Sequence, residues 1–330
     1  MRFVIPAKKQ PKVFDAIKAG YDTVSGNIYL LLFPIVLDLF FLFGKRLLVA
    51  KQLERIISEV TLPSSSTAEV VKTWEELSTT FLELFKNFSL TAFLRSFPIG
   101  IPSLLAYRPL EFHPLGAFST VQVESYGSSI LYILAFSLLG FLLGALFLSV
   151  IRNSVQKNNS MTNGVQLLRQ TLSLFTLPVL ALLFSIFILT PALFLISIIN
   201  SILPILGSLG YFLLSLGLIS AAIPLFFTAH EILLSGSNFA TAARDSIRTV
   251  RPTNGKTSIF LMLAILTTYA TNFLWQIPKQ DSWMLIVSIL GHALVTTILY
   301  VASFHYYIDA HNCVRESLIS ETPVNEQTGI

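Results

Sequence analysis

The sequence predicts an all-α, polytopic integral membrane bundle, with six transmembrane helices arranged as three hairpins, each preceded by an amphipathic interfacial helix. Three observations predict it. First, 53% of the 330 residues are hydrophobic and only 12% are charged, against about 25% charge in soluble domains. With a mean hydropathy of +0.71, the chain lacks the polar groups to cover its own surface, so lipid must solvate it. Second, apolar stretches recur at the length of about 20 residues that a helix needs to cross the hydrocarbon core. Third, lysine and arginine gather in alternate links between those stretches.

The stretches fall near 26–44, 129–151, 171–191, 203–228, 257–277 and 283–307. The first is short and contains Pro34 and Asp38. It lies behind a charged helical stretch with no small-residue cleavage site after it, so it reads as a retained span and not a signal peptide. The third and fourth are joined by an apolar link, Ser197 to Ile205, flanked by Pro191 and Pro204. That pattern predicts a tight return into the membrane.

Basic residues in short loops set orientation. Arg2, Lys8, Lys9, Lys12 and Lys18 precede the first span, Arg152, Lys157 and Arg169 follow the second, and Arg244, Arg248, Arg251 and Lys256 follow the fourth. The link between the third and fourth has none, and that between the fifth and sixth has only Lys279. With six spans the three basic segments share one side, which places both termini in the cytoplasm. The stretch 45–127 carries eight basic and eight acidic residues and is assigned to the opposite, extracytoplasmic side. The single cysteine, Cys313, excludes an intrachain disulfide. The net charge of +4 is spread beside the spans, which suits anionic lipid headgroups and not nucleic acid.

Each basic segment has an amphipathic face leading into a span. Phe14, Ile17, Tyr21 and Val24 form the first stripe. Val165, Leu168, Leu172 and Phe175 form the second, and Phe239, Ala243, Ile247 and Val250 the third, opposite Arg244, Arg248 and Arg251. Once the long insertion is set aside, the three starts recur about every 75 residues, which reads as three repeated units.

The run Ala16-Ile-Lys-Ala-Gly-Tyr-Asp-Thr-Val24, the run Ala242-Ala-Arg-Asp-Ser-Ile-Arg-Thr-Val-Arg251 and Tyr306-Tyr-Ile-Asp-Ala310 carry a resemblance. They resemble a broad group of poorly characterised bacterial membrane proteins. That group includes the membrane domain found beside some glycerophosphodiester phosphodiesterases. The resemblance covers about a third of the chain and implies the helical architecture, a bacterial source and hence the plasma membrane. It implies no activity, because no His/Glu/Asp-rich soluble domain corresponds to the phosphodiesterase.

Within the insertion, Ser66-Thr-Ala-Glu69 has the form of a capping box. An amphipathic helix near 67–88 is expected, with Val70, Trp74, Leu77, Phe81, Leu84, Phe85 and Phe88 on one face. Pro98, Pro102, Pro109 and Pro114 then prevent regular helix. Irregular backbone must avoid lipid, so this part is expected to fold over the mouth of the bundle. It serves either as a packing lid or as a surface that binds a partner or a ligand.

Asp38 is the most expensive residue in the spans, since a mid-span carboxylate costs about 3 kcal/mol. It is either a transport carboxylate or a structural group bonded to a neighbouring helix or drawn toward Lys45 and Arg46. With His292 and Asn272 it makes a candidate intramembrane polar site, near Thr267, Thr268, Thr271, Thr296 and Thr297. Arg244, Arg248 and Arg251 form a candidate headgroup-binding face. His230, Glu231, His305 and Asp309 are weak metal candidates, since their spacing is not one of the strong signatures, and no cofactor or metal is expected. Gly140-x-x-x-Gly144 permits close packing, against another span or another subunit. No phosphate loop, dinucleotide fingerprint, HExxH or nucleophile elbow occurs, which weighs against an enzyme.

Three functional readings follow. A non-enzymatic scaffold or accessory subunit contacting anionic lipid requires a closed bundle with Asp38 satisfied internally. A transporter for an apolar or lipid-like substrate requires a cavity reaching Asp38 or His292. A lipid-modifying membrane enzyme requires His230, Glu231, His305 and Asp309 to converge.

Overall fold

The structure, a computed structural model, describes residues 11–60, 67–96, 99–106, 108, 110–157 and 164–321. Its apolar stretches are helical. Among the described residues, five helices or helix runs are long and apolar enough to cross a membrane: α5 (Tyr126–Gln156), the run Gly164–Ile202, α8 (Pro204–Ser235), α9 (Phe239–Trp275) and α10 (Met284–Glu321). The chain is therefore an α-helical multi-pass membrane protein. The first expected span differs. After α1 (Val13–Gly26), one 3-10 turn (Ile28–Leu31) leads into α2 (Leu32–Phe43), which has 12 residues. Such a helix rises about 18 Å, short of a hydrocarbon core of about 30 Å. A sixth span is reached only if α1 and the helix that follows it count as one broken span.

The segments classed as interfacial are all present as helix. The first, α1, is set off from α2 by a break at Asn27 (φ −137°, ψ 58°). The other two run into their spans without interruption, as the start of α6 (Gly164–Phe184) and of α9. The run Gly164–Ile202 passes from α6 through a π-helical turn, Ser185–Leu189, into α7 (Thr190–Ile202). Pro191 opens α7 and does not end a span. The predicted link reduces to Leu203, and Pro204 begins α8. A Cβ on Gly207 would meet the Cα of Asn200 at 2.3 Å, so a glycine is needed where this hairpin closes.

Contacts divide the chain into two compact units. The first comprises Met1–Ile28, Leu148–Thr267 and Ile298–Ile330. Its core is Val13, Ala16, Phe227, Val250, Phe260, Ala302, Tyr306, Tyr307 and Ala310. Phe260 stacks on Tyr306 and Phe227 on Tyr307, with ring centroids 4.6 and 5.3 Å apart. A Cβ on Gly20 of α1 would lie 2.8 Å from the Ile298 carbonyl of α10.

The second unit comprises Tyr29–Phe147 and Thr268–Thr297. It holds the insertion. Strand β1 (Arg46–Leu48) pairs in parallel with β4 (Thr120–Gln122), and β2 (Phe112–His113) makes a hairpin with β3 (Gly116–Ala117). Helices α3 (Ala50–Glu59) and α4 (Ala68–Phe85) follow β1. The cap of α4 is Thr67, whose Oγ1 accepts from the Val70 amide at 3.4 Å. Ser66, the expected cap, lies outside the described residues, as do Pro98 and Pro109. The apolar stripe of α4 is present but unburied: Leu77, Phe81 and Leu84 are all exposed.

After the short helix Leu90–Leu94, an irregular strap descends among helices. Ile99, Ile101, Ser103, Leu104, Leu105, Ala106 and Leu110 are buried. The expected lid over the mouth is instead a strap packed inside its unit. Gly140 and Gly144 make room for it. A Cβ on Gly140 would fall 2.0 Å from the Leu94 carbonyl, and one on Gly144 would fall 2.7 Å from Gly100 Cα. The glycine pair therefore receives the strap backbone, and not a second span or a second subunit.

Candidate functional site

The strap has no helical hydrogen bonds of its own at 103–106. Its amides are buried away from water and need acceptors. Asp38, fully buried on α2, supplies them. The Leu104 amide donates to Oδ2 at 3.0 Å, the Leu105 amide to Oδ1 at 3.1 Å, and the Ser103 hydroxyl to Oδ1. The Ala106 amide in turn donates to Ser103 Oγ at 3.0 Å. A carboxylate suits this task because its two oxygens offer about four acceptor sites. Asp38 thus bonds to strap backbone, and neither to a neighbouring helix nor to Arg46. Arg46 donates to the Leu110 carbonyl and lies 3.5 Å above the Phe118 ring. Burial lowers its guanidinium to about 10, which leaves it protonated at neutral pH, so the cation remains over the ring.

The other two members of the predicted intramembrane site do meet. His292 Nδ1 and Asn272 Oδ1 are 2.9 Å apart. His292 Nε2 is buried and has no hydrogen-bond partner among the described residues. Arg95, where the strap begins, acts electrostatically on both Asp38 and His292. The site is thus Asp38 with Ser103, Leu104 and Leu105, and His292 with Asn272, within the field of Arg95. Arg95 and the strap lie too far along the chain from Asp38 for any sequence period to associate them.

The four metal candidates do not converge. On α10, residues four apart share a face, and residues two apart are turned by about 200°. Ser303 and Tyr307 face α8: His230 Nε2 lies 2.7 Å from Ser303 Oγ, and Tyr307 donates to Glu231 Oε2 at 2.9 Å. His305 points elsewhere, to Thr23 Oγ1 of α1 at 2.9 Å. Asp309 follows it onto that side and is exposed, within the electrostatic reach of Asp15. His230 itself is enclosed by aromatic rings, with Phe304 at 4.3 Å. Among the described residues no group of three or more His, Cys, Asp and Glu is placed to hold a metal. A lipid-modifying centre built on this quartet has no geometric basis.

Arg244, Arg248 and Arg251 are all exposed on one face of α9. Arg248 lies 3.6 Å from Asp245, and both ends of that pair are solvent-accessible, which makes it weak. The buried face carries Ala242, Ser246, Thr249, Val250 and Thr253. The expected stripe is only half-buried at Phe239, Ala243 and Ile247. The reason is chemical: the neighbouring face of α10 presents Tyr306 and Tyr307, whose hydroxyls need polar partners when buried. Thr257 Oγ1 lies 3.0 Å from Tyr306 Oη, and Ser246 and Thr249 reach Tyr307. Hydrophobic periodicity cannot find a packing face made of hydroxyls.

Family models, curated proteins and solved structures were all compared with the chain, and none matches it.

Proposed function

We propose that the chain is a non-enzymatic scaffold or accessory subunit of a bacterial plasma membrane, with both termini cytoplasmic, that gathers anionic lipid headgroups at Arg244, Arg248 and Arg251. The observation that carries this reading is the placement of those arginines. All three are exposed along one face of a helix that continues into a span, where guanidinium groups meet phosphates as bidentate donors. The likeness of three short runs to membrane domains beside glycerophosphodiester phosphodiesterases supports the bacterial placement. The exposed stripe of α4 in the insertion is the surface for a partner protein. Asp38 fits the scaffold reading, since its bonds to Ser103, Leu104 and Leu105 fasten the strap.

The test uses the full chain in phosphatidylcholine bilayers containing spin-labelled phosphatidylglycerol. Each interfacial arginine contributes about 1 kcal/mol toward an anionic surface, or about fivefold. Replacing all three by glutamine should remove most of the selectivity for the anionic lipid, and raised salt should do the same to the parent. An unchanged selectivity in the triple variant would sink the reading.

One observation favours a second reading, transport of an apolar or lipid-like substrate: His292 Nε2 is buried without a partner among the described residues, in the field of Arg95. Flux in proteoliposomes that falls in both Asp38→Asn and His292→Ala would support it. Absence of flux in the parent protein would remove it.

A further inference from the structure

The first unit contains a crevice that none of these readings uses. It has a volume of about 820 Å³, within the range of small-ligand sites, and is wide and shallow, open over much of its extent. It lies where the ends of α5 and α8 meet residues 307–312 of α10. Val155, Leu234 and Ile308 give it apolar wall, while Lys157, Glu231, Tyr307, His311 and Asn312 give it polar groups. Glu231 is buried, at 7% exposure, and is held by the Tyr307 hydroxyl at 2.9 Å. That hydroxyl is itself contacted by Ser246 and Thr249 of α9. The carboxylate is therefore positioned from three helices while still lining the crevice. Lys157 is exposed at the rim, in a left-handed backbone conformation (φ 52°).

A fixed carboxylate inside and a lysine at the rim make a bipolar site. An anion alone leaves Glu231 facing like charge, and a cation alone leaves Lys157 unused. The geometry points to a binding site for a phosphate ester bearing a primary ammonium: the ammonium donates to Glu231, and the phosphate takes Lys157, with the imidazole of His311 and the amide of Asn312 as further donors. An ammonium with three N–H donors fits a carboxylate, whereas a trimethylammonium has none. Val155, Leu234 and Ile308 give apolar surface to whatever the ester is attached to. The source of the chemistry is either a lipid headgroup or a soluble phosphoethanolamine.

The experiment is native mass spectrometry of the full chain released from nanodiscs containing equal parts phosphatidylethanolamine, phosphatidylcholine and phosphatidylglycerol. Phosphatidylethanolamine should be retained over both others. Losing one charge-assisted hydrogen bond lowers affinity about tenfold, so Glu231→Gln, whose amide oxygen still accepts from Tyr307, should reduce retention by about that factor. Lys157→Gln changes an exposed residue, leaves the core untouched and should reduce retention less. Competition by millimolar phosphoethanolamine at these residues assigns the site to the soluble compound; failure to compete assigns it to the lipid. Equal retention of the three lipids, or retention unchanged in both variants with no effect of phosphoethanolamine, overturns the proposal.

Discussion

Replacing Asp38 by asparagine tests whether its carboxylate holds the strap in place. Oδ1 accepts from the Ser103 hydroxyl and the Leu105 amide, and Oδ2 from the Leu104 amide. In Asp38→Asn one of these oxygens becomes an NH₂ group. It then faces a backbone N–H donor, with both buried. One orphaned donor of this kind costs about 1–3 kcal/mol. At about 2 kcal/mol, local opening of the strap becomes about thirtyfold more frequent. Asp38→Ala strands both amides while the hydroxyl can turn away, so its cost is about 4 kcal/mol, or roughly a thousandfold. Ser103→Ala keeps the carboxylate and both of its amide bonds but strands the Ala106 amide, which donates to Ser103 Oγ, so a cost of about 1–3 kcal/mol, like that of Asp38→Asn, is expected. The assay is hydrogen exchange of peptides covering 99–106 in nanodiscs, with the α1 peptide as internal reference. Asp38→Ala exceeding both Asp38→Asn and Ser103→Ala is the signature. Exchange at 99–106 that stays within threefold of the parent in Asp38→Asn, with the reference peptide unchanged, would refute the reasoning.

The same strap should loosen when its seat is filled. Gly140→Leu places carbon where the Leu94 carbonyl stands, 2.0 Å from the ideal Cβ, and overpacking of this kind costs about 1–3 kcal/mol. Faster exchange at 90–106 reports it, whereas Gly217→Ala, whose Cβ meets nothing within 4 Å, should leave exchange unaltered. Arg108 donates to the carbonyls of Gln276 and Pro278 at 3.1 and 3.3 Å. Burial lowers its guanidinium from the usual value, and Arg108→Gln should raise exchange across 274–280 by about tenfold or more, since hydrogen bonds to a charged donor contribute about 1.5–3 kcal/mol. Arg46→Lys keeps a charge but gives up the planar cation over Phe118, so a fall in thermal stability without change in anionic-lipid selectivity is expected. Cys313, the single cysteine, should react with an impermeant maleimide only from the cytoplasmic face of oriented vesicles, and labelling from outside in intact cells would reverse the proposed orientation.

The membrane class and the long helices were legible because they rest on composition and on runs of 20 or so apolar residues, both local signals. The short first helix was half legible: Pro34 and Asp38 marked it as odd, yet the reason for the oddity lies about 65 residues away at Ser103. Hydropathy values Asp38 as a cost in lipid, whereas in the structure it replaces the backbone acceptors that an irregular strap lacks. The glycine pair was legible as a close approach but not as to what approaches, since a strap backbone and a helix backbone demand the same missing Cβ. His292 and Asn272 were legible as polar residues on neighbouring spans, but their 2.9 Å contact was not. The hydroxyl face of α9 was hidden because Ser246, Thr249, Thr253 and Thr257 read as polar in any hydrophobic period, and only the opposing tyrosines make that face the buried one.

Asp38, Arg95 and His292 Nε2, which has no partner among the described residues, bear on the choice between scaffold and transporter more than the number of spans does. Irregular backbone at membrane depth persists where protein or a water-lined cavity surrounds it. The strap residues 103–106 are buried in protein, and the carboxylate that would serve a transported cation already accepts three bonds. A transported cation would have to displace the Leu104 and Leu105 amides, and those amides have no second acceptor on the strap. Transport through Asp38 therefore entails strap opening on every cycle. The exchange rate at 99–106 sets a ceiling on any such flux. A measured flux faster than strap opening would show that the path avoids Asp38, leaving His292 and Asn272 as the residues to follow.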